Sequence, residues 1–183
     1  MTVTVRPDPF TMVLFDAADI RRIVDEVAGL VGVDRDIVVE VDEKTPLGRT
    51  FVTSLDPVTI SVESGAFEDA RRPRHHSETA VKDVVGRLLF RVKDRLDPAF
   101  GTPPDDADLS LPAQVAWDAY CVGRCARLGL PVQEQRRRYH FRNRHGFTDV
   151  ADATFERLWN GDALTWADIE AACSATEAAR LAS

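Results

Sequence analysis

The chain has 183 residues, 44% of them hydrophobic and 29% charged, which suffices for one domain with a real core. No apolar run approaches the ~20 residues that span a bilayer, and three cysteines are too few and too irregular for a disulfide framework. A net charge of −7 gives no general attraction to nucleic acid.

The opening MTVTVRPDPF lacks the charged, apolar, small-residue order of a secretion signal, so a cytoplasmic protein is expected. Residues 1–15 read as an extended arm that ends by packing on the core. Asp16 reads as a helix N-cap with Asp19 in the first turn, where carboxylates meet free N–H groups and the positive end of the dipole. Ile20, Ile23, Val24, Val27, Leu30 and Val31 form a buried stripe, and Gly32 is the stop.

Three strands follow, Ile37 to Val41, Thr50 to Leu55 and Val58 to Glu63, with apolar β-branched residues at alternate positions. Their short connections predict an antiparallel meander, and SGAFEDARRPRHHS reads as a loop. The strongest periodic signal is a helix over Glu78 to Leu96. Val81, Val84, Val85, Leu88, Leu89, Val92 and Leu96 line one side; Lys82, Asp83, Arg87, Arg91 and Asp94 line the other. After the turn-forming GTPPDDADLS, a helix capped by Ser110 runs to about Leu128 and is apolar on two sides.

A basic segment follows Pro131 and reads as a helix closed by Gly146. Thr148 to Trp159 is another helix, and Thr165 with Asp168 forms a capping box for the last. The order of elements is that of an α+β protein: N-terminal helix, small three-stranded sheet, then a helical layer with a C-terminal helical extension. A single domain is expected, with a core over 16–130 and an extension over 131–183.

The histidines, His75, His76, His140 and His145, lack the i, i+4 placement that lets two imidazoles share a zinc. Cys121 and Cys125 have that spacing but sit among apolar residues, as buried small hydrophobes do. No Gly-x-Ser-x-Gly or Gly-rich phosphate loop occurs. Five arginines, Arg136, Arg137, Arg138, Arg142 and Arg144, interleave with Tyr139 and Phe141 and lead to Phe147. Between Arg136 and His145 there is no acid. Such a segment either pairs with the chain's own carboxylates, meets a protein partner or holds phosphates and bases. As a partner surface it should leave at least three guanidinium groups exposed without carboxylate partners.

The order helix, small sheet, loop, long helix, loop, second helix resembles the compact zincin metallopeptidases of the gluzincin type. In that family a helix carries His-Glu-x-x-His, whose histidines bind zinc and whose glutamate activates the metal-bound water. A later helix supplies Glu-x-x-x-Asp, the third ligand and a carboxylate that supports one histidine. Placing VKDVVGRLLFR on the first of these helices puts Lys82 at the first histidine, Asp83 at the glutamate and Gly86 at the second histidine. In the second helix Gln114 falls at the ligand glutamate and Asp118 at the supporting aspartate.

The resemblance covers roughly residues 16–130. A lysine with a pKa of about 10 stays protonated and repels a cation, and glycine offers no ligand. The resemblance therefore implies a degenerate, metal-free site with no cofactor, and the expected function is that of a non-catalytic domain that acts by binding another protein. Two alternatives stand beside it: a metal-dependent hydrolase with a relocated site at His75, His76 and Glu78, and an RNA- or phosphate-binding module using Arg136 to Arg144. The placement also predicts that Lys82 bonds Asp118 directly. Gly86 and Gly123 cost about 1 kcal/mol each against alanine inside helices, and close helix approach is the usual reason for such residues.

Overall fold

The computed structural model describes residues 1–182. The protein is α+β, and its chain divides into two compact units, Met1–Lys93 and Asp94–Ser183, with the division inside the long helix. No helix among the described residues is long and apolar enough to cross a membrane.

The first unit is built on a four-stranded sheet of β1 (Val3–Arg6), β2 (Ile37–Asp42), β3 (Thr50–Leu55) and β4 (Val58–Glu63), in the order β1-β2-β4-β3. Alternate residues are buried: Val3 and Val5; Ile37, Val39 and Val41; Thr50 and Val52; Val58, Ile60 and Val62. The sheet is not the expected three-stranded antiparallel meander. β1 pairs parallel to β2 (Val3↔Ile37), and β2 pairs parallel to β4 (Val39↔Ile60). Only β3 and β4 are antiparallel, with a bulge between Val52 and Ser54.

The reason lies in the connection 43–49. It carries the chain past the neighbouring slot, and β4 then turns back at Asp56-Pro57 to fill it. Gly65 permits this route, because a Cβ there would collide with the carbonyls of Pro46 and Leu47. The Ser64 hydroxyl donates to the Thr45 carbonyl at 3.2 Å beside it.

The first helix, α1 (Ala17–Val31), packs against β1. Asp16 accepts from the N–H groups of Ala18 and Asp19, and Gly32, at φ 79, ends the helix with its N–H on the Ala28 carbonyl. Its stripe is buried as expected except for Leu30, which is exposed. The stretch read as a loop contains a hairpin of β5 (Glu68–Asp69) and β6 (Arg72–His76).

The long helix, α2 (Glu78–Leu96), buries Val81, Val84, Val85, Leu88, Leu89 and Val92; Leu96, in its last turn, is partly exposed. Its charged side is largely covered as well. Arg91 is fully buried, and Arg87 and Asp94 nearly so. Arg87 donates to the Thr50 hydroxyl at 2.9 Å.

The second unit contains α3 (Leu111–Arg127), α4 (Glu134–His145), α5 (Asp149–Asn160) and α6 (Trp166–Ala182). Ser110 caps α3, Gly146 (φ 98) closes α4, Thr148 caps α5, and Thr165 with Asp168 forms the box ahead of α6. Gly123 marks a close approach of α3 and α5, since a Cβ there would run into the Trp159 carbonyl. Aromatic rings fill the unit: Phe100 stacks on Trp117, Trp117 meets Trp166, and Phe155 contacts both Phe141 and Trp159.

Candidate functional site

α2 presents Lys82, Asp83 and Gly86 within its first three turns. Lys82 is mostly buried, and its ammonium bonds Glu78 Oε1 at 2.7 Å and Glu26 Oε1 at 2.9 Å. Glu78 lies one turn earlier on α2, and Glu26 lies on α1. Hydrogen bonds to Glu78 and then Glu26 raise the lysine pKa above its ordinary value, so a permanent cation occupies the position matched to the first histidine. Lys82 bonds two glutamates of its own unit, and Asp118, its expected partner, belongs to the other unit.

Arg22 joins the same surface, reaching Asp19 at 2.7 Å, Glu26 at 3.6 Å and Glu78 at 3.7 Å. Gly86 is buried and Asp83 half-buried. Gln114 and Asp118 lie in the second unit, one turn apart on α3, with Asp118 buried. The five positions of the resemblance therefore divide between the two units.

The residues of the relocated metal site are each engaged elsewhere. His76 bonds Asp19 Oδ2 through Nε2 at 2.9 Å and faces the Asp16 N–H through Nδ1 at 3.4 Å. His75 Nδ1 lies 3.2 Å from the Pro73 carbonyl, and Glu78 holds Lys82. No group of three His, Cys, Asp or Glu side chains able to hold a metal ion occurs among the described residues.

The basic segment splits by helix face. Arg138, Phe141, Arg142 and His145 form the i, i+3, i+4, i+7 stripe that turns inward. Arg138 bonds Glu156 at 2.5 Å and Glu134 at 2.9 Å, with its guanidinium over the Phe155 ring. Arg142 makes two bonds of 2.7 Å to Asp152, whose pKa it lowers. Phe141 is fully buried and stacks on His145 at 4.0 Å.

Arg136, Tyr139, His140, Asn143 and Arg144 are exposed. Arg136 and Arg144 have no carboxylate partner among the described residues, and Arg137 is half-buried. The expected minimum of three exposed, unpaired guanidinium groups is therefore not met: two of the five arginines satisfy it, because Arg138 and Arg142 serve to hold α5. Tyr139 and Phe147 are 58% and 67% exposed, and their rings meet edge to face at 6.3 Å. His140 is held below the ordinary histidine range, first by partial burial and then by Arg136 and Arg137.

Two buried polar groups of the second unit have no counterpart in the sequence reading. Asp94 accepts from Arg124 at 2.7 and 2.6 Å and from the Trp117 indole at 2.7 Å, while Arg124 lies 3.8 Å over the Tyr120 ring. His145 bonds the Pro112 carbonyl through Nε2 at 3.0 Å and meets the Thr176 hydroxyl at Nδ1, 2.7 Å away. The carbonyl can only accept, which places a proton on Nε2. Cys121 and Cys125 are buried, as expected, and in no disulfide, and Cys173 is partly exposed.

No protein-family model matches the chain, and no match is found among curated proteins or solved structures. None of these comparisons identifies a zincin-like fold.

Proposed function

We propose that the chain is a non-catalytic domain with a degenerate, metal-free zincin-like core, and that it acts by binding another protein. The observation that carries this reading is the Lys82 ammonium clamped between Glu78 and Glu26. In the proposed placement, a cation whose pKa is raised still further takes the position of the first zinc ligand, and the next ligand position is a glycine. The element order supports the same reading: α1, the strands β2 to β4, α2 and α3 follow one another, with β1 added ahead of α1. Binding is supported by the outward side of α4, where arginines and aromatic rings of the kind enriched at protein interfaces stand exposed.

The test is elemental analysis of the purified full-length chain together with a peptide-hydrolysis assay with and without added zinc. The expected result is less than stoichiometric zinc and no hydrolysis. Stoichiometric zinc with zinc-dependent hydrolysis would refute the proposal.

A further inference from the structure

The arginines and aromatic rings of α4 are sorted by face. The inward ones are spent on α5. The outward ones follow the spacing Arg136, Tyr139, His140, Asn143, Arg144, which is a single i, i+3, i+4, i+7, i+8 stripe. Phe147 follows Gly146 and brings its ring back against Tyr139. We infer that this stripe, continued by Phe147, docks an acidic protein segment that also carries apolar side chains; the inference rests on the proposal that the chain binds protein and names where and what.

Charge complementarity selects the occupant. In a chain of net charge −7, Arg136 and Arg144 are cations with no carboxylate partner among the described residues. A rise of ~1.5 Å per residue sets them about 12 Å apart along the helix axis, with Tyr139 between them. A segment with two carboxylates at that separation and apolar side chains between would pair both charges and cover both rings. Tyrosine, phenylalanine and arginine are residues that gain most from such desolvation. Nucleic acid fits less well. Two uncommitted guanidinium groups release few counterions, and the acidic remainder of the chain opposes a polyanion. The rings also meet edge to face rather than offering parallel platforms for bases.

The test uses the full chain and three labelled probes in fluorescence anisotropy. The first is a 14-residue peptide of Asp and Glu with central Leu and Phe, the second the same peptide with Ser for Leu and Phe, and the third a single-stranded oligonucleotide. The first probe is expected to bind at least about tenfold tighter than the others. Arg136→Glu with Arg144→Glu, and Tyr139→Ser with Phe147→Ser, should each weaken it about tenfold or more. Since these side chains are exposed, the melting temperature should hold; if a double variant melts early, Phe147→Ser alone replaces it.

No binding of the first probe, equal binding of all three, or indifference to both variants overturns the inference. Failure of the underlying non-catalytic reading registers elsewhere, in zinc content and hydrolysis, which these variants do not touch.

Discussion

Asp94→Ala removes the carboxylate at the centre of the second unit's polar core. Asp94 and Arg124 are both mostly buried, with side chains 6% and 12% exposed. The carboxylate satisfies two guanidinium nitrogens and the Trp117 indole. Truncation removes the carboxylate that accepts both guanidinium bonds, and breaking a buried ion pair from one side usually costs ~3–5 kcal/mol. The indole also loses its acceptor, adding about 1 kcal/mol. With a urea dependence of roughly 1–3 kcal/mol per molar, the midpoint should fall by on the order of 2 M.

All three tryptophans, Trp117, Trp159 and Trp166, belong to the second unit, so intrinsic fluorescence follows that unit specifically. Asp94→Leu combined with Arg124→Met should cost less than Asp94→Ala alone, because no buried charge is then left unpaired. A single-variant loss below about 1 kcal/mol, the range of an exposed pair, would refute the claim that this ion pair is buried and mutually required.

Burial holds His145 below the ordinary histidine range, with Arg180 acting in the same direction. The unfolded chain therefore takes up the proton first: stability is full above about pH 6.5 and falls with pH below it, until the folded pKa is passed. His145→Phe should flatten that slope in urea titrations between pH 7.5 and 5.5, and an unchanged slope would count against it. Cys121 and Cys125 should resist a thiol reagent until the protein unfolds, and Cys173, its pKa pushed up to about 11 chiefly by burial, should react slowly at pH 8. Gly123→Ala should lower the melting temperature, although alanine is worth about 1 kcal/mol more in a helix, because the Trp159 carbonyl occupies the space of the new methyl.

What is readable in the chain is what neighbours in sequence decide. The Asp16 cap, the Gly32 stop, the Thr165–Asp168 box and the buried stripe of α1 all depend on contacts within a few residues. The sheet order is different in kind. The alternation of Ile37, Val39 and Val41 buries the same residues whether β4 lies beside β2 or beyond β3, so the period of two carries no information about the neighbour. The choice is made by the connection 43–49 and by Gly65 against Pro46 and Leu47, contacts that no periodicity encodes. β1 is harder still, because four residues gain strand character only from a parallel partner more than thirty positions away.

The candidate site follows the same division. Composition alone marks Arg136 to Arg144 as unusual but does not separate structural arginines from available ones. That separation needs the helix phase and the positions of acids that arrive later in the chain. Asp152 and Glu156 are one turn apart on α5, and they meet Arg142 and Arg138, also one turn apart on α4. Once those two pairs are made, the phase of α4 is fixed. Arg136 and Arg144, about two turns apart, are then held on the other face, together with Tyr139. The internal ion pairs and the outward stripe are therefore one arrangement: pairing α4 to α5 through its inner arginines is what leaves the outer ones exposed.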